Sequence, residues 1–187
     1  ESVMSKAWNK KIFKHIQEHV DQASKDLADE RGACPDAADY GYNERFSNKT
    51  AIAPTASISI ICGGASPGVE PVAANSYTHK TLSGSFNVRN RYLVELLEKH
   101  GKNNDDVWSG ITTNQGSVSH LDFLTDLEKD VFKTAFELDQ KWIIELSGDR
   151  TPFISQAQSI NLFVPADIHK RELHKIHFDA WKKGLKS

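Results

Sequence analysis

The sequence predicts an α/β fold in which helices outnumber strands. Helical periodicity recurs along the chain, and two short apolar runs, at 50–53 and 159–164, indicate buried strands. Two strands separated by about a hundred residues do not complete a parallel sheet by themselves. We therefore expect residues 1–187 to be a single segment of a larger α/β domain, without internal boundary, whose other strands come from elsewhere.

Composition and charge exclude several classes of function. The chain has 23 basic and 25 acidic residues, with no basic stripe interleaved with aromatic residues, so we expect no nucleic-acid partner. No apolar run is long enough to cross a bilayer, and the first residues do not resemble a signal peptide. Cys34 and Cys62 make no disulfide framework, which fits a reduced, cytoplasmic setting.

The first helix follows from apolar residues spaced three and four apart, which build one stripe. The stripe consists of Ile12, Ile16, Val20, Ala23 and Leu27. Arg31 is the last residue of the helix, Gly32 suits a left-handed cap, and Pro35 prevents the helix from continuing. We expect the polar and aromatic stretch that follows, at 36–48, to be a loop.

A strand, a turn and a short helix are predicted next. The run at 50–53 meets Pro54, and a second apolar run begins at Thr55 and stops at Gly63 and Gly64. The first N–H groups of such a helix are uncovered, and together with the helix dipole they favour a phosphate. The alternative is an ordinary turn capped by Thr55 or Ser57. Neither a Walker motif nor G-x-G-x-x-G is present.

The rest of the chain is mostly helical in pattern. We expect an extended stretch at 77–88, a helix at 92–100 ending at Gly101, and only weak patterning at 102–120. A capping box from Thr125 to Glu128 should start a helix that runs to about Gly148. Its inward face would carry Leu127, Val131, Ala135, Leu138, Trp142 and Leu146.

Asp167 should cap a last helix with Leu173, Ile176, Ala180 and Trp181 facing inward. The aromatic residues at helical spacing are expected in the core first. They are Phe132, Phe136, Trp142, Phe178 and Trp181.

Several motifs can be interpreted either as ordinary structural features or as functional sites. His15-Ile-Gln-Glu18-His19 matches the inverted zinc-peptidase signature, but nothing indicates a third ligand, so ordinary surface histidines are favoured. We expect Cys62 to be a buried, inert thiol and His177 to be a hydrogen-bonded core residue. Glu70, between Gly and Pro in a loop, is a candidate for orienting groups around the anion site.

Five stretches resemble the C-terminal part of the large, catalytic subunit of class I ribonucleotide reductases of bacterial or phage type. They are Ala53-Pro-Thr-Ala-Ser57, Gly68-Val-Glu-Pro71, Tyr77-Thr-His-Lys-Thr-Leu-Ser-Gly84, Gln156-Ala-Gln-Ser-Ile-Asn161 and Trp181-Lys-Lys-Gly-Leu-Lys-Ser187. The resemblance covers essentially the whole chain. Class II reductases share a similar Pro-Thr-x-x-Ile loop, but the third and fifth stretches look closer to class I.

The resemblance implies part of the second half of a ten-stranded α/β barrel. It implies that Thr55, Ala56, Ser57 and Ile58 hold the diphosphate of a ribonucleoside diphosphate through backbone N–H groups, with Pro54 and Glu70 as possible support. The family replaces the ribose 2′-hydroxyl with hydrogen for deoxyribonucleotide synthesis.

No catalytic or metal-binding residue can be placed here, because the family's radical and redox residues match nothing in 1–187. The implied partners are the rest of the large subunit, a small subunit with a metal/radical cofactor, and thioredoxin or glutaredoxin, with ATP and dATP as effectors. The alternative prediction is a non-catalytic phosphate- or nucleotide-binding α/β module.

Overall fold

The computed structural model describes residues 2–63, 65–82 and 84–186. Its helices are α1 (Val3–Arg31), α2 (Pro35–Asp39), α3 (Ala56–Ile61), α4 (Arg91–Lys99), α5 (Asp105–Thr113), α6 (Asp126–Val131), α7 (Gln140–Arg150) and α8 (Lys170–Lys182). Its strands are β1 (Ser76–Thr81) and β2 (Gly84–Arg89). Single 3₁₀ turns lie at Ala135–Glu137 and Thr151–Phe153. Within these ranges, no helix has both the length and the apolar character needed to span a membrane.

The chain forms two compact units. Unit 1 comprises 1–54, 140–162 and 166–187, and unit 2 comprises 55–139 and 163–165. The expectation that residues 1–187 are one segment of a larger domain, without an internal boundary, stays a prediction.

Helix α1 is the longest element of unit 1 and packs against α7. It includes the predicted first helix. Ser2 is its N-cap, and Gly32, with a φ of 80°, is its C-cap. Lys6 pairs with Glu145 at 3.0 Å, and the Asn9 amide donates to the Leu146 carbonyl at 2.8 Å.

The predicted apolar stripe of α1 is not its buried face. Ile12 and Ile16 are 48% and 41% exposed, whereas Ser24 and Ala28 are buried. The loop after α2 covers the small residues instead, because the Ser24 hydroxyl accepts the backbone N–H groups of Arg45 and Phe46. The prediction of a loop throughout 36–48 is wrong at its beginning, because Pro35 is the first residue of the short helix α2.

Within the described residues neither predicted strand forms; the first segment makes only one parallel bridge in unit 1, to a residue just before the second segment. Ile52 forms a parallel bridge with Gln158, supported by hydrogen bonds from Ile52 N to Ala157 O and from Ser159 N to Ile52 O. Residues 159–164 are not a strand. Within the described ranges each segment pairs only with the other, which is too little pairing to build a ladder.

Unit 2 contains an antiparallel hairpin, β1–β2, in which Ser76 lies opposite Arg89. The hairpin confirms the predicted extended stretch, and α4 confirms the predicted helix, with Gly101 in the left-handed region at its end. The core of the unit lies around α4 and α5. Its buried side chains are Leu93, Leu97, Trp108, Ile111, Val118, Leu121 and Leu124.

The long helix predicted from Thr125 to Gly148 is wrong. The Thr125–Glu128 capping box is present, but α6 ends at Val131. A second capping box, Thr134 with Glu137, starts a new 3₁₀ turn, and α7 begins only at Gln140. A second set of cap hydrogen bonds interrupts the helix because it satisfies the backbone donors that continuation would have used.

Helix α8 begins later than predicted. His169 rather than Asp167 is its cap, with its imidazole accepting the Arg171 N–H. Trp181 and Phe178 are exposed rather than inward, as is Phe136 of unit 2, whereas Trp142 and Phe132 are half-buried. Phe178 and Trp181 stack on one another along the helix surface.

Candidate functional site

Thr55 caps helix α3 in an unusual backbone conformation. Its φ of 52° and ψ of 28° lie in the left-handed region, which β-branched residues rarely adopt. Its carbonyl accepts the first bond of the helix, from Ser59 N at 2.8 Å. Strained backbone of this kind persists only where surrounding contacts hold it, and it is frequent at ligand-binding sites.

The Thr55 hydroxyl does not cap α3. Its Oγ1 instead accepts the backbone N–H of Gly68 at 2.7 Å, which joins the start of the helix to the Gly68-Val-Glu-Pro71 loop. Gly68 is itself left-handed, with a φ of 56°. The Ser59 hydroxyl donates to the Ala56 carbonyl, so it leaves the first-turn N–H groups untouched.

The first turn of α3 therefore faces solvent with its donors available. Ala56, Ser57 and Ile58 are exposed, and the first N–H groups of a helix have no intrahelical acceptor. These donors and the positive end of the helix dipole can bind an anion. Sequence reasoning placed the helix start correctly at Thr55. The apolar residues of the run do not form a buried face, because Ile58 and Ile61 are exposed.

A cleft of about 720 Å³ lies beside α3 within unit 2. Ala56 and Ser59 of the helix contribute to its wall, together with Glu70, which is only 8% exposed. Glu70 thus lies near the predicted loop, two residues after the glycine that binds Thr55. Pro54 is exposed and precedes Thr55 directly in the chain.

Arg91 supplies a positive charge to the same cleft, and sequence reasoning missed it. Its guanidinium donates to the Tyr92 hydroxyl at 2.6 Å and lies 4.7 Å from the centre of that ring. Gly63 lies next to it: a Cβ at that position would be in ordinary van der Waals contact with Arg91 Nη1, at 3.5 Å. The fold, not a local motif, brings Arg91 to this wall.

The remaining candidates do not form a site. The rings of His15 and His19 lie 4.2 Å apart on α1, but the described residues contain no cluster of three side chains able to hold a metal. Cys62 is exposed rather than buried, because α3 ends at Ile61 on the surface. His177 is also exposed and bonds the Leu173 carbonyl one turn earlier, so it is not a core residue.

Comparisons with known proteins place this chain in a family. A family model described as the ribonucleotide reductase barrel domain matches residues 36–187. The large subunit of ribonucleoside-diphosphate reductase from Invertebrate iridescent virus 6 is 49% identical over 180 residues, which cover 94% of this chain and 19% of the viral protein. Its counterpart from Invertebrate iridescent virus 3 is 45% identical over the whole chain and 30% of that protein.

A solved structure agrees with the sequence relatives. The class Id ribonucleotide reductase alpha subunit of Actinobacillus ureae matches with a TM-score of 0.89 and 37% identity, over 99% of this chain and 33% of that one. The chain thus spans a third or less of the length of these relatives. The expected α/β barrel is confirmed by both findings. The chain belongs to the ribonucleotide reductase family and forms part of its barrel domain.

Proposed function

We propose that this chain is part of the large subunit of a ribonucleoside-diphosphate reductase, which converts ribonucleoside diphosphates to deoxyribonucleoside diphosphates. The observation that carries the proposal is the family match over residues 36–187, together with 49% identity to a viral large subunit. Because the chain spans only part of such subunits, the activity belongs to the complete protein. In an activity assay, we expect purified residues 1–187 to reduce no ribonucleotide on their own.

Within that subunit, the proposed role of this segment is to hold the substrate diphosphate. The N–H groups at Thr55, Ala56, Ser57 and Ile58 are the donors, and Pro54 and Glu70 support the loop. The exposed first turn of α3 and the left-handed Thr55 favour this role, since an anion is stabilised where uncovered N–H groups point outward. No side chain has to contact the phosphates, because the proposed donors are all backbone groups.

A backbone substitution tests the loop directly in the complete large subunit. Ser57→Pro removes one N–H group, and a hydrogen bond to a charged group contributes about 1.5–3 kcal/mol, so the Kd for a ribonucleoside diphosphate should rise at least about tenfold. Ser57→Ala is the matched control, because it loses only the hydroxyl and keeps the N–H. Equal affinity of both variants in calorimetry, with unchanged melting temperatures, would refute the assigned loop.

The complete enzyme should act in the cytoplasm with partners of its family. These are the rest of the large subunit, a small subunit that provides the metal/radical cofactor, thioredoxin or glutaredoxin as reductant, and ATP or dATP as effectors. The test is reconstitution of the complete large subunit. Turnover should require the small subunit and a dithiol reductant, and full activity with either one omitted would contradict this assignment.

A further inference from the structure

Thr55 has a backbone conformation that its side chain disfavours. Glycine adopts left-handed values freely, but a side chain branched at Cβ does not. The φ of 52° at Thr55 therefore needs a compensating interaction. A glycine at this position would remove the strain, so the presence of threonine suggests that the hydroxyl itself has a task.

The compensating interaction is the hydrogen bond from Gly68 N to Thr55 Oγ1, at 2.7 Å. In an ordinary cap, a threonine with extended backbone turns its oxygen toward the N–H of the second or third helical residue. Here those residues are Ser57 and Ile58. The left-handed backbone directs the hydroxyl to Gly68 instead, and this leaves both N–H groups without a side-chain acceptor from Thr55.

We infer that the Thr55 hydroxyl is a positioning group for the substrate loop. Its bond to Gly68 holds Thr55 in the left-handed conformation, and it prevents Thr55 from capping the helix with the oxygen that would otherwise compete with the substrate. The inference rests on the proposed function of the loop, and it assigns Thr55 an indirect role through its side chain in addition to the backbone N–H. Gly68 takes part in this role, because its backbone N–H is the donor of the hydrogen bond.

The test compares Thr55→Val with Thr55→Ser in the complete large subunit. Valine keeps the shape and the branching, and thus the same backbone strain, but it accepts no hydrogen bond; serine retains the acceptor. Thr55→Val should raise the Kd for a ribonucleoside diphosphate several-fold and at most about tenfold, which is the limit if the whole contribution of the internal Gly68–Thr55 hydrogen bond is expressed in binding. Thr55→Ser should stay within about threefold of the unmodified protein. The Kd for the corresponding ribonucleoside, which carries no phosphate, should not change in either variant.

Thr78→Val is the matched control, since it removes an exposed hydroxyl in strand β1 of the same unit. Equal weakening of nucleoside and diphosphate binding by Thr55→Val would indicate a general loss of structure and would overturn the inference. If Thr55→Val binds normally while Ser57→Pro does not, the loop is right and the Thr55 role is wrong. If both bind normally, the proposed loop fails as well.

A measurement on the unmodified protein covers the case in which Thr55→Val does not fold. The Gly68 amide should exchange with solvent more slowly than an open loop amide, because Thr55 accepts its hydrogen. Exchange of Gly68 at the rate of an unprotected amide would overturn the inference without any variant.

Discussion

Arg150 holds a guanidinium in the interior of unit 1. The residue is only 4% exposed, and burial lowers its pKa to about 10. It donates to Gln158 Oε1 at 2.6 Å and to Ser147 Oγ at 2.7 Å. Gln158 in turn donates to the Ser147 carbonyl and to Thr151, so a single arginine organises the polar interior next to the parallel bridge.

Arg150→Met should therefore destabilise the protein by about 2–4 kcal/mol, because Gln158 and Ser147 lose a charged donor while buried. Denaturant unfolding monitored by circular dichroism measures the change. Arg171→Met is the control at an exposed position of α8 in the same unit, and its effect should stay within about 0.5 kcal/mol. Similar midpoints for both variants would show that the buried arginine contributes little to stability.

At the scale of elements, helix α5 shows what local pattern does and does not reveal. The segment 102–120 has weak patterning, yet it contains Trp108 and Ile111, which are among the most buried side chains of unit 2. The available signal was the Asn104 cap, whose side chain accepts the Val107 N–H, followed by apolar residues three and four apart. Ser109, Gly110, Thr112 and Thr113 are weak helix formers, and they blur that periodicity.

Only those parts of the candidate site that depend on neighbouring residues were predictable from the sequence. The helix start at Thr55 follows from Pro54 and the apolar run, and it was predicted. The direction of the Thr55 hydroxyl was not, because it depends on Gly68, thirteen residues away, rather than on the neighbouring helix. Arg91 likewise reaches the cleft only through the fold. Burial failed as a prediction on α3 and α1, since periodicity identifies an apolar face but not what covers it.

A matched pair of leucines tests the core around α4. Leu97 is 0% exposed, whereas Leu127 on α6 is 76% exposed. Leu97→Ala should cost about 2–5 kcal/mol, because it removes buried methyl groups and leaves a cavity. Leu127→Ala should change the unfolding free energy by no more than about 0.5 kcal/mol. Equal losses measured by denaturant unfolding would contradict this description of the core.

The capping box of α6 predicts a dependence of stability on pH. His100 and the Thr125 backbone and hydroxyl bind the Glu128 carboxylate and lower its pKa from 4.5 to about 2. Since the folded pKa lies below the unfolded one, the stabilisation is present above pH 4.5 and is lost as the pH falls toward 2. Glu128→Gln should therefore reduce the acid dependence of the denaturation midpoint in this window.

Asp122→Asn is the control for that experiment, because Asp122 is an exposed carboxylate in the same unit. Its unfolding midpoint should follow the pH dependence of the unmodified protein. Parallel pH curves for Glu128→Gln and the unmodified protein would show that the capping box is not the source of the effect.

For the molecule as a whole, uncovered apolar surface is the dominant property. On α1, Met4, Trp8, Ile12 and Ile16 are all exposed, four residues apart on one face. Contiguous apolar faces of this kind associate in water. The isolated chain should self-associate, and the combined variant Trp8→Gln, Ile12→Gln and Ile16→Gln should weaken that association at least roughly tenfold.

Sedimentation velocity over a range of concentrations measures the association. The control combines Lys14→Gln with Glu18→Gln, two exposed positions of the same helix, and should leave the association constant largely unchanged. Identical sedimentation of the apolar triple variant and the unmodified chain would show that another surface is responsible.

The parallel bridge between Ile52 and Gln158 has a consequence for the order of folding. The neighbouring contact of Lys49 with Ser155 joins residues 106 apart in sequence. Closing a loop of that length costs about 4 kcal/mol in chain entropy, and only a few backbone hydrogen bonds offset the cost. During synthesis, the segment before Pro54 must wait for residue 158 to leave the ribosome before the bridge can form. We expect its pairing to form last and open first, with the Ile52 and Ser159 amides exchanging early.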